Sequence, residues 1–150
     1  MNMILSQLRS LTEGVPYAVT NLANASALLY QTLPDLNWAG FYLYTDGQLV
    51  LGPFQGKTAC TVIPMDKGVC GAAASRGETL VVPDVHAFPG HIACDSASRS
   101  EIVVPIYVEG SLYGVLDIDS PIPNRFSADD QVLLESFVQI LSQLLTNPKK

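Results

Sequence analysis

Two hairpin turns, Asp46-Gly47 and Glu109-Gly110-Ser111, each set between apolar runs, constrain this chain more than any other feature. The first returns the aromatic-rich Trp38-Ala39-Gly40-Phe41-Tyr42-Leu43-Tyr44 into Leu49-Val50-Leu51. The second joins a strand over 102–108 to one over 112–118. Cys60-Thr61-Val62-Ile63 and Thr79-Leu80-Val81-Val82 read as further strands, and Gly68–Arg76, with its Ala72-Ala73-Ala74 centre, as a short, tightly packed helix between them. A long loop over 83–100 follows. Successive hairpin-linked strands bracketed by helices argue against a doubly wound parallel sheet. They predict an α+β domain with about six antiparallel strands.

The bracketing helices follow from apolar spacing. Val15, Val19, Leu22, Ser26, Leu29 and Leu33 recur at steps of four and three, which predicts an amphipathic helix over 16–33 packing through that stripe. Pro16 suits its first turn and Pro34 ends it. A shorter helix is expected over 4–11. Ser127 is a good N-cap, with Asp129 and Asp130 in the first turn of a last helix whose apolar face includes Phe137, Ile140, Leu141 and Leu144. At 150 residues the chain suits a single domain over 1–150. Apolar helices at both ends would suit a homodimer interface.

Charge and composition exclude several classes. The chain is 48% hydrophobic and 15% charged, a globular balance. Its net charge is −6 and its longest basic run is Lys149-Lys150, so neither nucleic acid nor an anionic membrane surface is an expected partner. No apolar run approaches the ~20 residues that cross a bilayer. The N-terminus lacks a basic region and a small-residue cleavage site, so a cytoplasmic location is expected. Three cysteines, an odd number with no C-x-x-C pair, do not imply a closed disulfide framework.

Sulfur and carboxylates remain as the candidate chemistry. Cys94 lies in the polar loop Gly90-His91-Ile92-Ala93-Cys94-Asp95-Ser96, where a thiol has more reason to react than to pack. Cys60 and Cys70, taken singly, read as small core side chains. Strand alternation places Asp117 and Asp119 on one face with Tyr113 and Val115, and Leu112, Gly114, Leu116 and Ile118 on the other. That acidic face is either a solvated strand end or the lining of a site. Glu101 opens the neighbouring strand and admits the same two readings. Cys60, Cys70, His91 and Cys94 lack the paired short spacings of structural zinc sites, so no metal is expected. His86 or His91 could serve a Cys–His hydrolase as base, but no nucleophile elbow supports that chemistry.

The segments Lys67-Gly68-Val69-Cys70-Gly71, Val82-Pro83-Asp84-Val85-His86 and Gly90-His91-Ile92-Ala93-Cys94-Asp95-Ser96-Ala97-Ser98-Arg99-Ser100-Glu101-Ile102-Val103-Val104-Pro105, together with Ala59-Cys60, resemble the free methionine-R-sulfoxide reductases. These are small enzymes on the GAF fold, and the likeness runs from about Trp38 through Asp119. The resemblance implies that Cys94 attacks the sulfoxide sulfur, that Cys60 resolves the resulting sulfenic acid, and that Cys70 is a third, less settled participant. It further implies that Glu101, Asp117 and Asp119 contact substrate and assist oxygen protonation, while Trp38 and Tyr42 wall the pocket near the substrate methyl group. Free methionine (R)-sulfoxide would be the substrate and thioredoxin or a similar dithiol the reductant, with no cofactor. The alternative is a GAF-type ligand-sensing module without catalysis.

Overall fold

In the computed structural model, which describes residues 3–91 and 97–145, a six-stranded antiparallel sheet separates two layers of side chains. The elements run α1 (Met3–Thr12), α2 (Ala18–Thr32), β1 (Trp38–Thr45), β2 (Gln48–Gly56), β3 (Val62–Ile63), α3 (Gly68–Arg76), β4 (Leu80–Val82), β5 (Ser100–Val108), β6 (Ser111–Ser120) and α4 (Ala128–Leu144), with a single 3₁₀ turn at Val85–Ala87. Strand order is β3-β2-β1-β6-β5-β4. The two hairpins therefore flank the β1–β6 pairing at the centre of the sheet. The α+β expectation holds, and α3 spans the residues that its sequence predicts.

Alternation assigns each face its work. Ala39 and Phe41 of β1, Ile102, Val104 and Ile106 of β5, and Leu116 and Ile118 of β6 pack against α1, α2 and α4 in the main core. Their neighbours Trp38, Tyr42, Val103 and Val115 point the other way, into a smaller cluster under α3. The helices thus hold the sheet from one side and leave the other for α3 and the loops.

Four details differ from the periodicity alone. Val19 is 67% exposed, because α2 buries Asn21, Leu22, Ala25, Ser26, Leu28 and Leu29 instead. Ser26, polar within that stripe, is satisfied by bonds from its hydroxyl to Leu22 O (2.8 Å) and Pro53 O (3.1 Å). β2 continues past Leu51 through a bulge at Gly52-Pro53, where the register with β1 slips between the Gly40–Phe54 and Tyr42–Leu51 pairs. In β6, Tyr107 pairs with Leu112 and Ile106 with Gly114, so Tyr113 is an extra residue. That bulge reverses the alternation: Tyr113 joins the main core and Leu112 the α3 side, the opposite of the simple period-two assignment. β3 is only Val62–Ile63, leaving Cys60 outside it.

The start of α4 carries a full capping box. Ser127 Oγ accepts from Asp130 N (3.2 Å), Ser127 N donates to Asp130 Oδ2 (2.8 Å), and Arg125 Nη1 reaches that same oxygen at 3.1 Å.

Gly114 marks the tightest approach at the sheet centre. A Cβ there would lie 2.2 Å from the Tyr42 carbonyl oxygen. Gly114→Ala should therefore force β1 and β6 apart, costing about 3 kcal/mol and lowering the melting temperature by roughly 6–12 °C. Gly110→Ala, at φ +81° with no atom within 4 Å, should cost only about 1 kcal/mol. Thermal denaturation of the two variants checks the ordering.

Candidate active site

Sheet register brings the acidic residues together. Trp38 of β1 pairs with Asp119 of β6, and Asp119 pairs in turn with Glu101 of β5, so the three form one row across adjacent strands. Asp117 lies one step along the same face, opposite Gly40 and Val103. Cross-strand neighbours of this kind stand ~5 Å apart. The solvated-strand-end reading fails, because α3 roofs this face: Glu101 is 7% and Asp117 5% exposed. Cys70, Ala73 and Ala74 of the helix pack in the cluster on this face.

Cys70, buried in the first turn of α3, directs its Sγ at Glu101 Oε2 (4.0 Å). It is a free thiol. Burial pushes this thiol well above its ordinary value, and the charges of Asp117, Glu101 and Asp119 push it further. Cys70 is thus a poor thiolate, and its S–H is a weak donor toward Glu101. Glu101 is likewise held well above the usual carboxylate range, first by burial and then by Asp117 and Asp119. Burial also raises Asp117, although hydrogen bonds with Glu101, Cys70 and Asp119 and the nearby His91 pull in the opposite direction. Its Oδ1, buried, has no hydrogen-bond partner. Like charges withdrawn from water resist ionising together, so the cluster holds its protons above the usual carboxylate range.

The aromatic wall is a stack. Trp38 lies 5.9 Å from Tyr42 and 5.1 Å from Phe54, centroid to centroid, at interplanar angles of 23° and 15°. Both polar tips of the wall point to the segment 57–60: Trp38 Nε1 donates to Lys57 O (3.1 Å) and Tyr42 Oη to Cys60 O (2.9 Å). Cys60 is therefore held at the rim by an aromatic residue of the central strand, not by a strand ladder. It is disulfide-bonded. Cys94 lies outside the described residues.

The pocket so formed is lined by Trp38, Tyr42, Cys70, Glu101, Asp117 and Asp119, with further contributions from Lys67, His91 and Ser98. Ser98 accepts a hydrogen bond from Asn37 Nδ2 (3.0 Å). Lys67 and Ser98 escaped the residue-by-residue reading. His91, considered there only as a zinc ligand or base, half-buried, faces the acidic cluster. Burial and the charge of His86 lower its pKa, while Asp117 raises it. The signal for Lys67 was its place just ahead of a Gly-rich helix start, because the positive end of a helix dipole naturally faces a ligand. Among the described residues, ligand atoms of Cys70, Glu101 and Asp117 come within 4.8 Å of one another; of the zinc set Cys60, Cys70, His91 and Cys94, the last lies outside the described residues. No helix among the described residues is long and apolar enough to cross a membrane.

Comparison with known proteins gives a consistent result. The GAF domain model matches residues 5–145. Protein YtsP of Bacillus subtilis is 55% identical, over 95% of this chain and 89% of that protein. The free methionine-R-sulfoxide reductase of Escherichia coli is 52% identical, over 91% of this chain and 82% of its own length. The solved structure of fRMsr of Staphylococcus aureus in complex with substrate superposes with a TM-score of 0.92 at 49% identity, covering 96% and 94% of the two chains.

The buried carboxyl has a thermodynamic signature. An unfolded Glu101 ionises around its ordinary 4.5, whereas the folded one keeps its proton well above that value. Wild-type stability should therefore fall relative to Glu101→Gln as pH rises above 4.5, by up to about 1.4 kcal/mol per pH unit, and the gap should stay constant below it. Denaturant titrations on both sides of that pH check the sign. In the same way, Cys70 should react with iodoacetamide far more slowly in the folded protein than after unfolding, as mass spectrometry of the labelled peptide would report.

Proposed function

The chain belongs to the GAF domain family and, within it, to the free methionine-R-sulfoxide reductases, which are oxidoreductases; on that premise we propose that it reduces free L-methionine (R)-S-oxide through Cys94, Glu101 and their neighbours. The observation that carries this reading is the row of carboxyls withdrawn from water beside an aromatic stack, with Glu101 held well above the usual carboxylate range.

A sulfoxide is a poor electrophile until its oxygen is protonated. Glu101, whose burial and acidic neighbours hold its pKa well above the usual carboxylate range, supplies that proton, with Asp119 beside it in the same row. The Cys94 thiolate attacks the sulfoxide sulfur, forming an S–S bond as the S–O bond breaks and the protonated oxygen leaves as water. Water then attacks the Cys94 sulfur and gives up a proton; the S–S bond breaks, methionine leaves, and Cys94 is left as a sulfenic acid, so the two-electron reduction of one sulfur matches the oxidation of the other. The Cys60 thiol then condenses with it, releasing water and forming a Cys60–Cys94 disulfide. Thioredoxin or a similar dithiol reduces that bond by exchange. Cys70, whose thiol stays protonated, assists as a hydrogen-bond donor to the acids and does not compete as a nucleophile.

The pocket has two electrical poles, which favours a free amino acid. Asp117, with its unpartnered Oδ1, would take the substrate ammonium. Lys67, which also lines the pocket, would take the α-carboxylate. A methionine sulfoxide inside a peptide offers neither charge. The S-methyl group would lie against Trp38.

Purified protein with dithiothreitol should consume free methionine (R)-sulfoxide and leave the S epimer and the peptide-bound form untouched. Cys94→Ser should abolish turnover, and Glu101→Gln should lower kcat by roughly 10²–10⁴. Turnover of none of the three substrates by fully reduced protein would overturn the proposal. Tyr42→Phe, which keeps the ring but frees the Cys60 segment, should slow recycling more than the first turnover. The ratio of single-turnover to steady-state rates should therefore rise.

A further inference from the structure

We propose that the floor of this pocket also binds a thiophilic divalent cation of the Zn2+ type, taken by Cys70 Sγ, a Glu101 carboxyl oxygen and an Asp117 carboxyl oxygen. The ion would act as an inhibitor that excludes the sulfoxide, and the exclusion rests on the functional reading above.

The three donors come from α3, β5 and β6 and lie within 4.8 Å of one another. The Sγ to Oε2 separation of 4.0 Å compares with about 3.6 Å between sulfur and oxygen ligands of a tetrahedral zinc ion, a difference that small side-chain torsions absorb. An independent observation points to a ligand: Asp117 is 5% exposed, lines the pocket, and has an oxygen without a hydrogen-bond partner. Such an atom is costly to bury unless something meets it. A substrate ammonium meets it in the functional reading, and a metal ion can meet it as well. One sulfur with two carboxylates selects a borderline or soft ion over Mg2+ or Ca2+, which prefer oxygen alone. Binding would displace the protons held by the thiol and the acids. Ion and ammonium would then compete for Asp117.

The probe is Co2+ added to protein that has been reduced and freed of reductant, because a thiolate ligand gives Co2+ a near-ultraviolet charge-transfer band. A band of one ion per chain is expected. Zn2+ should displace it and Mg2+ should not. It should vanish in Cys70→Ala, weaken in Asp117→Asn, and persist in Cys60→Ser and Cys94→Ser, with circular dichroism confirming that each variant folds. No band, or one that survives Cys70→Ala and disappears with Cys60 or Cys94, would overturn the site. In turnover assays Zn2+ should raise KM and leave kcat unchanged, with KM doubling when the ion equals its own dissociation constant. A change in kcat alone would overturn the exclusion. Co2+ binding without sulfoxide turnover in metal-free assays would defeat the reductase reading and leave the ion site standing; turnover without the band would do the reverse.

Discussion

Burying acidic side chains beside one another is the constraint on which the rest of this molecule depends. Glu101 and Asp117 sit beneath α3 with Asp119 adjoining, and an isolated carboxylate in such a place would be prohibitively unfavourable. The cluster survives by sharing protons and hydrogen bonds, with the Cys70 thiol as an additional donor. Stability is therefore spent at the site, and the large aliphatic core on the opposite face, from Leu8 through Phe137, supplies it. The same withdrawal from water that burdens folding makes Glu101 hold its proton well above the usual carboxylate range.

Geometry makes that arrangement rigid. The acids and the first aromatic stand on β1, β5 and β6, the most extensively paired strands of the sheet. The rim is different in kind. Cys60 is reached through the Tyr42 hydroxyl, Ser98 through Asn37, and both belong to connections between elements. Proton chemistry thus rests on strands, and the sulfur relay and the edges of the pocket on loops.

Much of the fold was legible because local signals agree with it. Asp46-Gly47 turns where its chemistry requires, and α3 ends at Arg76 because Gly77 follows in the left-handed conformation at φ +67°. The misreadings have one source, which is that periodicity assumes an unbroken element. The extra residue Tyr113 swaps Leu112 to the other face, and Gly52-Pro53 carries β2 through a bulge. Val19 matches the helical period, yet faces outward because α2 rests on the sheet through a neighbouring stripe. At the site, alternation alone put Asp117 and Asp119 on one face but left open whether that face was wet. Only the packing of α3 above it decides, and packing between distant segments leaves no local trace. Lys67 entered the pocket unannounced for the same reason, whereas the aromatic and acidic positions were indicated by the family resemblance.

The strand order has an evolutionary meaning. The segment bearing Cys60 leaves the β2–β3 edge of the sheet, and His91 and Ser98 come from the connection between β4 and β5 near the other edge. The acid row lies between, on strands that neither segment interrupts. Insertions, deletions or substitutions in either rim segment can therefore alter what enters without dismantling the proton donor. A scaffold divided in this way can lose the Cys60 thiol at its rim and still keep a shaped, charged cavity.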